Sequence, residues 1–574
     1  MKKLLAILMA SLLCLSGTAL AGENDPDDVR NVISQKQNAG AFVGTEEDGP
    51  FGRYADPVKL TFIKSTDSTA MTKYGKMEEL FGETLEDNRW TRLFKDVLNI
   101  EVEYLWTADI SQYDQKWKLA LASGEIPDVS PIKSKDLRDL FQMEEAGLIQ
   151  DIQPYWDTYA SDLTKTIVAA DNGDAVYSAI TSTDGKMLGV PEVSAALDTY
   201  RYLWIRTDWL EKLNLKTPKT LDDLKRIMEA FATQDPDGNG VNDTYSYLIG
   251  KALWYQLEGL FWCFGAYPDT WLPDENGRLV YGATLPEMKE ALHWLQEMYA
   301  NGWIDPEFVV KDDVKANEMI VSGKTGMTSG GHWIVLSELA QSRELDPEAS
   351  WGVFSWPTAD GSEAMGETEL GLDNVLAVSA SCDHPEAVIK MLNLYYEMLY
   401  GASGNYSYWG NDYSHAEEGK AIEGVWALGP MYSFHPMINI LPYRDAVKVV
   451  NGEMAVEDLQ GASLDYWNNC QVDWGWSREW IPSKDAYKTA GDHIDHVLKE
   501  GLLFTDSFVG AKTETMVERF SSMQEMMDTT MTKIITGNLD VDKGFDDFVK
   551  SWYAMGGTAI TEEVNTWYDG IKAN

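Results

Sequence analysis

The chain has 574 residues, with 92 Asp and Glu against 47 Lys and Arg, and a formal net charge of −45. That length exceeds what one hydrophobic core organises, so two or more domains are expected. An apolar content of 44% excludes disorder, and the acidity excludes nucleic acid and anionic membrane surfaces, which select basic faces.

The chain opens with a basic Met1-Lys2-Lys3, an apolar run from Leu4 to Leu15, and Ala19-Leu20-Ala21 before Gly22. This is the layout of a secretory signal peptide cleaved after Ala21, and the run is shorter than the ~20 residues that span a bilayer. Export to the periplasm or the extracellular space is expected. Cys14 follows Leu12-Leu13 inside the apolar run, so there is no clear lipobox. The remaining Cys263, Cys382 and Cys470 are odd in number and far apart, and read as buried thiols. Residues 22–57 are polar and aperiodic and read as a linker.

Order is expected from Val58. Val58, Leu60 and Phe62 alternate with Lys59 and Thr61 as in a strand. A helix follows near Arg89–Leu98, a second strand spans Ile100–Trp106, and Tyr113, Trp117, Ala120 and Leu121 fall at helical spacing before Gly124. Asp128–Ile132 is a third strand. Strands alternating with helices imply a largely parallel sheet and an α/β fold. Further on, Tyr200–Arg206 reads as a strand. Thr220 and Asp223 sign the start of a helix whose apolar face carries Leu224, Ile227, Met228 and Phe231. Another helix runs from Pro286 to Asn301-Gly302. Trp351–Trp356 and Val375–Ala380 are strands, His384–Leu399 is a helix, and the tail from Phe504 is helical with a break at Gly556-Gly557.

A loop crowded with carboxylates follows the Thr220 helix. Asp235, Asp237, Asn239, Gly240, Val241 and Asp243 match positions 1, 3, 5, 6, 7 and 9 of an EF-hand-type loop. Hard oxygen ligands at alternate positions favour Ca2+ in a structural role. Position 12, where a bidentate Glu belongs, is Ser246. A polar turn that binds nothing is the competing reading.

Three stretches then carry a family resemblance. They are Leu121-Ala122-Ser123-Gly124-Glu125-Ile126-Pro127-Asp128-Val129; the block from Asp184-Gly185-Lys186 through Val190-Pro191, Ile205–Leu213, Pro218-Lys219-Thr220 and the Asp235 loop; and Gly323-Lys324-Thr325-Gly326-Met327 leading to Trp333. In this order and spacing the chain resembles the extracellular solute-binding proteins of family 1, the sugar-capturing subunits of ABC importers, in the long branch of LipO-like and alginate-binding proteins. The resemblance implies a type II periplasmic-binding-protein-like fold of two α/β lobes that close on ligand around a hinge. It implies lobe I from 58–190 plus 328–381 and lobe II from 191–327 plus 382–574, with crossings near Val190–Tyr200, Thr325–Ser329 and Ala380–Asp383. It implies calcium in the Asp235 loop, an oligosaccharide ligand, transmembrane permease subunits as partners, a monomer and no enzymatic activity.

Sugars present apolar faces and rims of hydroxyls, which aromatic planes and polar side chains recognise. The chain holds 22 Trp. Trp262, Trp271, Trp333, Trp409 and Trp474 lie in loop-like contexts and are candidate ligand residues, although core packing competes at each. Trp333 leads, following an expected hinge. Glu192 at the first crossing could pair hydroxyls. Asn88 and Trp90 open a helix at the carboxyl end of the first strand, where ligands sit in open α/β sheets. Trp117 and Trp294, at helical spacing, read as core. His493-x-x-His496 has metal-pair spacing but reads as an exposed helix face. A secreted glycoside hydrolase is one alternative, since carboxylate pairs abound; a carbohydrate-sensing surface receptor is another.

Overall fold

The computed structural model describes residues 49–66, 68–171, 173–182, 184–401, 406–410, 412–415, 420–422, 424–459, 461–470, 476–483 and 487–573; the expected signal peptide, the linker up to residue 48 and Trp474 lie outside them. The strands that position the site are β1 (Val58–Thr66), β2 (Ile100–Asp109), β3 (Val129–Lys133), β4 (Val190–Val193), β5 (Tyr202–Arg206), β6 (Tyr245–Tyr247), β7 (Trp271–Pro273), β8 (Leu279–Tyr281), β9 (Thr325–Gly330), β10 (Trp351–Phe354), β11 (Gly366–Thr368) and β12 (Leu372–Val378). They form a five-stranded sheet in the order β2-β1-β3-β12-β4 and a four-stranded sheet in the order β10-β5-β9-β6.

Each sheet anchors its own hydrophobic core. The first core gathers Leu60, Phe62, Val129 and Val190 with the helix Pro385–Tyr400, which is buried around nearly its whole circumference. The second gathers Leu203, Ile205, Met327 and Val353 with the helices Leu221–Thr233, Glu287–Ala300 and the tail. The Thr220 capping box forms as expected: the hydroxyl accepts from Asp223 N–H, and the Asp223 carboxylate accepts from the Thr220 N–H. Gly556 takes φ 148° at the expected break in the tail. Trp117 and Trp294 are buried as expected.

Four expectations need correction. The sheets are mixed, not largely parallel: β1 runs parallel to β2 and β3, but β12 runs antiparallel to β3 and β4, and β5 antiparallel to β9 and β10. Strands β4 and β12 flank crossings between the lobes, so one of them must run back against the sheet. The lobe boundaries also shift. Residues 328–364 belong with the second core, through β9, Ile334 and β10, and residues 385–438 with the first. Ordered chain starts before Val58, because Phe51 is buried in the first core, Lys390 donates to Gly52 O (3.3 Å) and Asn393 donates to Pro50 O (2.8 Å). Finally, His493 is buried rather than exposed.

Candidate ligand cleft and hinge

The two cores fix where the chain crosses between lobes. Val193 lies in the first core and Leu197 in the second; Ala364 and Leu372 reverse the direction; Ile438 and Ile440 cross a third time. The first crossing is where it was expected. The other two are not: Thr325–Ser329 is interior strand β9, and Ala380–Asp383 leads into the buried Pro385 helix within the first lobe. A single hydrophobic pattern serves a core strand and a hinge strand equally well, which is why sequence placed them wrongly.

The crossings are bonded to one another. Asn439 Nδ2 donates to both Asp198 oxygens (2.8 and 3.0 Å), Ser194 N donates to Gly371 O (3.1 Å), and Phe434 N donates to Val193 O (2.8 Å). Glu192 belongs to this knot. It is 1% exposed, and its carboxylate accepts from Tyr432 N (2.7 Å) and Asn374 Nδ2 (3.0 Å). Burial pushes its pKa up to about 8, opposed by the Tyr432 N–H and reinforced by Asp373. Both oxygens face protein donors, so Glu192 is hinge interior, not a ligand for hydroxyls. Behind it, Lys64 donates to Ala427 O (2.7 Å) and Gly429 O, and burial lowers its pKa to about 8.

A cavity of about 460 Å³ opens beside the crossings. Ser134, Lys135 and Asp373 wall it from the first lobe; Trp254, Glu258 and Trp262 wall it from the second. Its floor is β11 and the segment Asp506–Gly510, which follows a strand, Leu503–Thr505, paired in parallel with β11. Arg201, just before β5, reaches into the cavity. Its Nε donates to Glu258 Oε2 (2.8 Å) and its guanidinium stacks on Tyr255 (4.4 Å) and Trp333 (5.9 Å). Arg201 Nη1 and Trp262 Nε1 are buried with no protein partner. Such groups are costly unless something else accepts from them.

Carboxylates crowd the same floor. Burial raises Asp506 to about 8, against hydrogen bonds from the N–H groups of Phe508 and Trp271. It raises Glu367 to about 7, against a bond from Thr270, and Asp373 to about 6, against Lys133. Glu258 and Asp269 are raised for the same reason.

The structure sorts the tryptophan candidates. Trp262 lines the cavity, and Trp333 stands half-buried at its margin behind Arg201. Its ring folds back over Gly331, where a Cβ would lie 2.2 Å from Cζ3. Trp271 is 3% exposed and packs against Tyr281 (5.3 Å); only its backbone N–H reaches the cavity's Asp506 (3.0 Å). Trp90 and Trp409 are core residues, 4.9 Å apart, with Trp90 Nε1 donating to Val425 O. Asn88 is the buried N-cap of the Arg89–Leu93 helix, its amide spent on Thr84, Leu85 and Leu428 carbonyls. Sequence passed over Arg201, Trp254, Glu258 and Asp506. An Arg at the head of the aromatic-apolar strand that leaves the first crossing was the available signal for the first.

The Asp235 loop lies on the second lobe. Asp235 accepts from Gly238, Asn239 and Gly240 N–H groups (3.0–3.1 Å), and Gly238 and Gly240 take φ 75° and 85°. Asp237 Oδ2 and Asp243 Oδ1 converge on Asn239 Nδ2 (2.7 and 3.1 Å), and Lys324 pairs with Asp243. Among the described residues these carboxylates are not gathered as a metal site: a neutral amide and an ammonium stand between them, and Asn239 Oδ1 accepts from Val241 N (2.7 Å). The Val241 carbonyl accepts from Asp243 N (3.1 Å), and Ser246 is wholly buried, donating to Trp303 O (2.8 Å), so it offers nothing to the loop. His493 faces Tyr200 (3.1 Å) while His496 faces Glu363 (3.0 Å), so the two do not converge. Cys263 and Cys382 are free thiols, buried as expected, while Cys470 is partly exposed and its Sγ donates to Trp467 O (2.9 Å).

Two lobes, three bonded crossings and a cleft between them have a match among known proteins. Residues 70–398 fit the profile of the bacterial extracellular solute-binding proteins. The chain belongs to that family. Among its curated relatives are lipoprotein LipO of Bacillus subtilis, 25% identical over 82% of this chain and 87% of the relative, and the polygalacturonan/rhamnogalacturonan-binding protein YtcQ of the same organism, 22% identical over 87% and 92%. Among solved structures, alginate-binding protein AlgQ2 without calcium ion superposes with TM-score 0.56 at 18% identity, covering 90% of this chain and 99% of that one. The family fold thus extends well beyond residue 398, and it holds the type II arrangement expected from sequence.

Proposed function

We propose that the chain is the extracytoplasmic binding subunit of an ABC importer, that it captures an oligosaccharide in the interlobe cleft, and that it hands it as a monomer to a transmembrane permease. The family supports the class, and the names of relatives such as YtcQ support a carbohydrate ligand. The carrying observation is Arg201 Nη1 and Trp262 Nε1, two buried donors without protein acceptors, in a cavity that both lobes wall. Sugar hydroxyl and ring oxygens supply acceptors, hydroxyl protons suit the floor carboxylates, and Trp254 and Phe508 offer apolar planes. Export follows from the Met1–Ala21 segment.

Fluorescence titration against a panel of oligosaccharides tests this. At least one should perturb tryptophan emission with no new reducing ends released. Trp254→Ala should weaken that binding by about tenfold or more while the fold survives. Turnover of the sugar would replace the binding reading with the hydrolase one.

The same reading gives the Asp235 loop to Ca2+, held by Asp235, Asp237, Asn239 and Asp243 side chains and the Val241 carbonyl, after Asn239 and Lys324 turn aside. A bound cation would neutralise the clustered carboxylates and clip the loop. Chelator should lower the melting temperature of the intact protein, and Asp237→Ala should abolish that response. An unchanged melting curve at low residual metal would remove calcium from the account.

A further inference from the structure

The charge of the cleft bears on which sugars it takes. Six of its lining residues are carboxylic acids: Glu258, Asp269, Glu367, Glu369, Asp373 and Asp506. Against them stand Lys135 and Arg201. Arg201 is already committed at Nε to Glu258 (2.8 Å), with its side chain only 9% exposed, so its charge is largely matched. Both Nη groups are left without a protein acceptor, Nη1 of them buried, and the neutral donor Trp262 Nε1 is buried in the same lining. The acids come from both walls and from the floor. A ligand closed between the lobes is therefore surrounded by them, not touched on one side.

We propose that this cleft takes an uncharged oligosaccharide and rejects uronate chains. The inference rests on the sugar-binding reading and narrows it. A carboxylate on the ligand, desolvated in the closed cleft, would meet six lining acids against two cations, Lys135 and an Arg201 already paired with Glu258. Like-charge juxtaposition in a low-dielectric site then costs more than the hydrogen bonds left to Arg201 and Lys135 return. A hydroxyl in the same place donates to a carboxylate and accepts from Nη1 or the indole, so each partner is satisfied. Burial already raises Asp506, Glu367 and Asp373, the response of a site that resists negative charge, so a further carboxylate brought in by the ligand would enter only with additional proton uptake.

The test uses the full mature chain and isothermal titration against neutral fructo-, galacto-, gluco- and xylo-oligosaccharides, alongside oligogalacturonate and alginate oligomers of matched length. A neutral member should bind at least about tenfold more tightly than any uronate. Raising salt should leave most of that gap, because charges enclosed in the closed cleft are screened far less than exposed ones. The double variant Glu367→Gln, Asp373→Asn should improve uronate binding about threefold or more relative to the neutral ligand, and its melting curve reports whether it folds. Uronate binding equal to or tighter than neutral binding overturns the inference and leaves sugar capture standing. Binding of neither set overturns both.

Discussion

Glu192 shows how a residue chosen for one role serves another. Its place beside Pro191 at the first crossing was legible, but the sequence alone offered no sign that Tyr432 and Asn374, 240 and 182 positions away, would take both its oxygens. Its pKa, raised from 4.5 to about 8, gives a signed expectation. The folded protein binds more protons than the unfolded chain between those values. The contribution is therefore complete below about pH 4.5 and is lost as pH rises through 8. Asp506, Glu367 and Glu479 act in the same direction, whereas Lys64, lowered to about 8, acts above that window with opposite sign. The melting temperature should fall from about pH 6.5 to pH 8, since below that range His332, His435 and His493, lowered by burial, act with the opposite sign; Glu192→Gln should flatten part of that fall and gain most at pH 8. A scan showing the same slope in variant and parent would place the charge of Glu192 outside the pH response. Arg201→Lys is the matching prediction for the cleft: an ammonium cannot bond Glu258 and still present a fixed donor in the Nη1 position, so affinity should drop about tenfold in titration.

At the scale of elements, local chemistry was read well and partnership was not. The Thr220 box, the Pro286 helix start and the Gly556 break arise from signals within a few residues of each other. Thr220→Ala should cost about 1 kcal/mol, read as a shift of the denaturation midpoint without a change in slope. Strand direction depended instead on which distant segment returned to the sheet, and no local pattern encodes that for β12. The tryptophans divide on the same principle. Trp90 and Trp409 sit beside polar or glycine-bearing sequence, yet meet each other and Tyr395 in the first core because folding brings three apolar neighbourhoods together. The useful indoles, Trp254 and Trp262, share one helix over the cleft and differ from core tryptophans only in what faces them.

The whole molecule couples its two cores through bonds at the crossings, and this has a measurable consequence. Asn439 is the best-placed link: it is 4% exposed, donates to Asp198 on the first crossing, and accepts from the Tyr466 hydroxyl of the second lobe. Replacing it by Ala removes no core volume of note but leaves Asp198 and the Tyr466 hydroxyl without these partners, at a cost of about 1–3 kcal/mol. Because the loss falls where the first and third crossings meet at the edge of the second lobe, it should loosen the crossings more than either core. Calorimetry of Asn439→Ala should then show a broadened or split transition where the parent gives one. Adding a bound oligosaccharide should pull the two parts together, since a ligand held by both walls stabilises only the state in which both are folded. If the variant melts in a single sharp transition, lowered but unsplit, the crossings are passive tethers and the coupling prediction fails.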